Sequence, residues 1–153
     1  MTYSASSTYA TVDDLKNRLT AQGYKNIADR DADGFTEAAS VTAIESAIEE
    51  ANQIIDGYVQ SRVDPDTARA SGNDWLRDRC KDIAVYKAVT LGGRNAAESV
   101  LVAHDEALKM LREVASGRMQ IPRMTYDYET AAGSRTQRVP RTFNYGSRTG
   151  RRR

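Results

Sequence analysis

Every apolar residue that recurs at helical spacing lies before Gly117, and this confines the folded unit to the first three-quarters of the chain. Beyond it the composition changes. The last 36 residues carry nine arginines against Asp127 and Glu129, a net charge of +7, whereas residues 1–117 carry 13 Lys/Arg against 19 Asp/Glu, a net charge of −6. Tyr126, Tyr128, Phe143 and Tyr145 are spaced among Gly, Ser, Thr and Pro, with no aliphatic run able to fold alone. An arm that cannot bury itself is expected to be buried by something else. The division is therefore a helical body over 1–117 and an extended basic, aromatic-containing arm over 118–153.

A body of about 115 residues is of ordinary domain size. Thr11 before Val12-Asp13-Asp14-Leu15 reads as an N-cap with acid in the first turn, opposing the positive end of the helix dipole. This first helix should run to about Gln22 and stop at Gly23. A second spans about Val41 to Arg62, with Ile44, Ala47, Ile48, Ala51, Ile55, Tyr58 and Val59 on one face and Glu45, Glu49, Glu50, Gln53 and Gln60 on the other. Gly57 inside it points to a close helix crossing or a bend. Asp64-Pro65-Asp66 breaks the chain. Asn73 or Asp74 caps a third helix to about Leu91, with Leu76, Cys80, Ile83 and Ala84 buried, and Gly92-Gly93 stops it. Asn95 opens a fourth through Leu101, Leu108 and Leu111, which Gly117 ends. The fold class is all-α, a small four-helix bundle-like body with an extended C-terminal arm.

In the arm, residues 123–128 and 142–145 alternate as strands do, without a partner strand in the body. The partner-binding candidates are Tyr126, Tyr128, Arg135, Arg138, Arg141, Phe143, Tyr145 and Arg148. Aromatics every few residues supply pocket-filling anchors and extended pairing segments that plain phosphate binding does not need. With Arg151, Arg152 and Arg153, the same arm also reads as a nucleic-acid grip that releases counterions from phosphates.

Asp29-Arg30-Asp31-Ala32-Asp33-Gly34-Phe35-Thr36-Glu37 matches the start of a calcium loop: acids at positions 1, 3 and 5, glycine at 6 and an acid at 9. Ser40 stands at position 12, where a bidentate Glu normally closes the shell. Asp29, Asp31, Asp33 and Glu37 are thus candidate ligands for weak calcium. A surface turn that caps the next helix with acid is the commoner explanation.

Catalysis finds little support, and no enzymatic activity or other cofactor is expected. His104, the single histidine, lies on or beside the apolar stripe of its helix, where a packing role is commoner than a catalytic one. No phosphate loop, Cys/His metal spacing or nucleophile motif occurs. Adjacent acids such as Asp13/Asp14 diverge by about 100° around a helix and cannot flank one substrate. Cys80 reads as a buried structural thiol in a reducing setting. The N-terminal residues lack a basic start and an apolar core, and no stretch approaches a membrane span of roughly 20 apolar residues.

Taken in order, the segments Tyr9-Ala10-Thr11-Val12-Asp13-Asp14-Leu15, Asp29-Arg30-Asp31-Ala32-Asp33-Gly34, Ile54-Ile55-Asp56-Gly57-Tyr58-Val59, Cys80-Lys81-Asp82-Ile83-Ala84-Val85-Tyr86 and the residues from Ala107 to Gly117 resemble the Mu-like head–tail connector proteins of tailed bacteriophages. The resemblance implies a small helical bundle forming a ring, usually of twelve subunits, beneath the portal protein, with C-terminal arms docked into it. It further implies a tail-side neck or terminator protein as partner. Genomic DNA would pass through the lumen without sequence-specific contact, at the head–tail junction of a virion assembled in the host cytoplasm.

Overall fold

The computed structural model describes residues 8–19, 23, 37–91, 93 and 95–124, and of residues 37–40 the backbone only. Five helices are present among them, and no strand: α1 (Val12–Arg18), α2 (Glu37–Val59), α3 (Pro65–Ala70), α4 (Asp74–Leu91) and α5 (Glu98–Ser116). The all-α expectation holds, with one more helix than the periodicity predicts.

The additional helix is α3, at the place read as a break. Asp64 is its N-cap, its carboxylate accepting from the Thr67 N–H at 3.0 Å, and Pro65 occupies the first turn, where its missing N–H costs nothing. Asp-Pro here starts a helix. At α1 the expected cap is a full capping box. The Thr11 hydroxyl accepts from Asp14 N, and the Asp14 carboxylate accepts from Thr11 N at 2.9 Å. The helix ends at Arg18, short of the expected Gln22, because Leu19 turns extended. Asn73 caps α4 by accepting from the Trp75 and Leu76 N–H groups. Asn95 does not open the last helix; Ala97 takes the N-cap position without a side-chain bond, and α5 begins at Glu98.

The core lies among three long helices, α2, α4 and α5, each of which touches the other two. The Glu50–Lys87 ion pair (3.3 Å) and the Asn52–Cys80 contact (3.6 Å), where the later α2 residue meets the earlier α4 residue, set α2 antiparallel to α4. Tyr86 against His104 and Arg79 against Met110 set α4 antiparallel to α5. Ile44, Ile48, Ile55 and Val59 of α2 meet Leu76, Ile83 and Ala84 of α4 and Ala107, Leu111 and Val114 of α5, nearly all inaccessible to water. Burying side chains of this size contributes about 1.5–3 kcal/mol each. The short α1 lies across α2 and α4 and drives Leu15 into the same core.

Gly57 is exposed, and a Cβ built there would meet nothing within 4 Å, so no close helix crossing occurs at it. Gly117 does have a backbone reason. Its φ of 78° closes α5 in the left-handed conformation, and a Cβ would run into the Arg62 guanidinium.

Candidate partner-docking site

The arm does not leave the body at Gly117. Ile121 is 2 % exposed and belongs to the core, and Met119 and Met124 pack against it. Between them Ile121-Pro122-Arg123-Met124 forms a turn, closed by the Met124 N–H donating to the Ile121 carbonyl at 3.4 Å. Arg123 adopts φ 57°, a conformation favouring glycine. Asn73 holds the turn. While its Oδ1 caps α4, its Nδ2 donates to the Pro122 carbonyl at 2.6 Å. One side chain therefore fixes both the start of α4 and the point from which the arm departs. Sequence reasoning missed Ile121 and Asn73 as anchors; the signal was an Ile-Pro pair four residues past a C-capping glycine.

The N-terminal segment is pinned at a second point. Asp56 accepts from the Tyr9 hydroxyl at 2.9 Å and from Arg69, whose guanidinium lies 5.9 Å from the Tyr9 ring centroid. Close by, the buried Asn52 Oδ1 accepts from the Tyr9 N–H at 3.3 Å and from the Cys80 thiol at 3.6 Å. Cys80 is fully buried, as its helical spacing implies. On the α1 side, Asp82, 4 % exposed, is paired with Arg18 and, at 3.4 Å, with Arg79. Burial outweighs the two guanidiniums and holds the Asp82 carboxyl above the usual carboxylate range. His104 stacks on Tyr86 with ring centroids 4.0 Å apart, the packing role expected of it.

Burial also pushes the Tyr9 phenol up to about 12, against the Arg69 charge, and the Cys80 thiol up to about 12. Both groups are neutral acids whose folded pKa exceeds the unfolded value of about 10 or 9. The folded state thus keeps protons that the unfolded state releases, and stability falls as pH rises through this window. Each group contributes a slope of up to about 1.4 kcal/mol per pH unit. Urea unfolding between pH 8 and pH 11.5 is expected to show the decline, beginning near the lower pKa. Cys80→Ala should delay its onset by about one pH unit; a curve superimposable on wild type would contradict the account of Cys80.

Two outward surfaces are available to partners. The outer face of α2 presents Glu45 and Glu49 to solvent, as its spacing predicted. Where α4 ends and α5 begins, Leu91, Leu101 and Val102 are 37 %, 42 % and 49 % exposed, with Glu98, Asp105 and Glu106 of α5 exposed around them. No group of three or more His, Cys, Asp or Glu residues able to hold a metal occurs among the described residues, and none of their helices is long and apolar enough to cross a membrane. Of the candidate calcium ligands, Asp29, Asp31 and Asp33 lie outside the described residues, and Glu37 is placed only as the first backbone residue of α2. The partner candidates Tyr126, Tyr128, Arg135, Arg138, Arg141, Phe143, Tyr145 and Arg148 also lie outside them.

No curated protein matches the chain. The model of one protein family, described as bacteriophage Mu, Gp36, matches residues 9–139, from the Tyr9 that bonds to Asp56, through all five helices and the Ile121 anchor, into the basic arm. The match spans most of the sequence, and the chain belongs to the bacteriophage Mu Gp36 family.

Proposed function

We propose that this phage protein is a structural adaptor of the head–tail connector. Copies form a ring under the portal protein, dock into it through their C-terminal arms and enclose the channel through which genomic DNA passes. A tail-side neck or terminator protein would sit on the opposite face. The observation that carries this reading is the family match, which takes in the helical body and continues along the arm to Val139. Two physical features support it. The body's net negative charge suits a channel wall that DNA should not adhere to. The arm's aromatics suit pocket-filling anchors on a protein, and its arginines suit acidic rims around those pockets.

The experiment is a salt titration of the full chain against isolated portal rings and against duplex DNA. Portal binding through aromatic and strand contacts should persist from 50 to 200 mM salt, roughly the range over which six to ten phosphate contacts lose about a thousandfold or more in affinity. Tight DNA binding with that steep salt dependence, together with no portal binding, would favour a nucleic-acid accessory protein instead.

A further inference from the structure

We infer that the outer face of α5 is a self-complementary docking surface, on which a second copy of this chain lies antiparallel in the free protein. This contact goes beyond the adaptor reading and stands without it.

Helix geometry sets the face. Glu98, Val102, Asp105, Lys109, Arg112 and Ser116 follow one another at alternating steps of four and three residues, which at about 100° per residue places them within about 80° of arc. All six are exposed, and the opposite side of the helix is the one that Ala107, Leu111 and Val114 bury in the core. Glu106 and Glu113 stand to one side, about 60–80° from the centre of the stripe. Along the stripe the sign of the charge changes once: Glu98 and Asp105 occupy the N-terminal half, Lys109 and Arg112 the C-terminal half. None of Glu98, Lys109 and Arg112 has an ion-pair partner among the described residues, and Asp105 touches the His104 ring of its own helix at 3.2 Å.

This order of charges selects the occupant and its direction. A second copy laid parallel would set acid on acid and base on base. Laid antiparallel, about a two-fold axis at Ala107, it sets Asp105 of each copy against Lys109 of the other. The same axis brings each Arg112 opposite Val102, which is 49 % exposed, with Glu98 and Asp105 one turn away on either side. The arginine stem can then cover the valine while its guanidinium reaches a carboxylate. By contrast, the outer face of α2 presents Glu45 and Glu49, no lysine or arginine occurs along that helix, and it cannot pair with itself. Copies do not repel strongly at a distance, since the net charge of the chain is +1.

A helix of 19 residues offers a face about 28 Å long and about 10 Å wide, well short of the roughly 800 Å² per partner of a stable complex. The pair is therefore weak, held mainly by charge and sensitive to salt. A two-fold contact closes on itself and cannot be the one repeated round a ring. It belongs to the free subunit, and it parts when copies enter a ring.

The test is sedimentation of the full chain from about 10 µM to about 1 mM, at low salt and at about 0.5 M. The wild type is expected to approach twice the monomer mass at low salt and to return to the monomer at high salt. Lys109→Glu with Arg112→Glu makes the stripe wholly acidic, and Glu98→Lys with Asp105→Lys makes it wholly basic. Each variant should stay monomeric, and an equimolar mixture of the two should recover the doubled mass. All four residues are exposed, so both variants should keep the wild-type helical signal; the single changes Lys109→Glu and Asp105→Lys give the same mixture test with less perturbation. A monomeric wild type, growth beyond two copies, association kept by either variant alone, or a mixture that stays monomeric would each overturn the proposal.

Discussion

A chain ending at Gly117 is expected to unfold at lower urea than the full protein, by about 2–4 kcal/mol of stability, whereas a chain ending at Met124 should match the full protein. The difference lies in seven residues. Ile121 is buried among the helices, and removing an isoleucine from a core costs about 2–5 kcal/mol, set by how far the cavity collapses. Met119 and Met124, which pack against the same core, would go with it, and Asn73 loses the Pro122 carbonyl that its amide donates to. The start of α4 would keep its Oδ1 cap, so the loss should appear in the unfolding midpoint and leave the helical content of the folded state little changed. Ile121→Ala in the full chain should reproduce most of the effect. Equal midpoints for the chains ending at Gly117 and Met124 would mean that the core closes without Ile121.

How much of this was legible in the sequence depends on the kind of interaction. The faces of α2 and α4 follow from the 3.6-residue recurrence of Ile, Val, Leu and Ala, because one helix writes its buried stripe into a continuous run of residues. Local caps were legible for the same reason: the Thr11–Asp14 box and the αL Gly117 each involve neighbours in the chain. Asp64-Pro65 was misread because the pair carries two meanings, break and start, and only the Thr67 N–H reaching the Asp64 carboxylate selects the second. Ile121 was missed because a lone isoleucine outside any period leaves no pattern. The Tyr9–Asp56–Arg69 and Arg18–Asp82–Arg79 groups join residues up to 64 apart, and their partners depend on how the helices register against one another. Gly57 suggested a close helix crossing or a bend, and of the two the packing does not use the crossing. For the candidate site, the sequence identified the arm and its residue types, while the anchor that aims the arm required the fold.

Removal of residues 125–153 should yield a folded body that no longer joins DNA-filled heads. The stability argument requires this cut in place of one at Gly117, because Ile121 must stay in the core for loss of joining to report on the arm alone. The deleted segment carries Tyr126, Tyr128, Phe143 and Tyr145, and interface aromatics of this kind can each contribute 2 kcal/mol or more when they fill a pocket. Several lost together exceed what rim charges would retain. Changing Arg151, Arg152 and Arg153 to Ala should weaken joining only moderately, since exposed ion pairs are each worth about 1 kcal/mol or less.

The most direct measurement is the occupancy of isolated portal rings imaged with the full chain and with the chain ending at Met124, at equal concentrations. The account predicts a ring of bodies beneath the portal, with arms running onto it, for the full chain, and bare portals for the truncated one. Equal occupancy by both would show that the helical body makes the joint, and would contradict the arm as its principal grip.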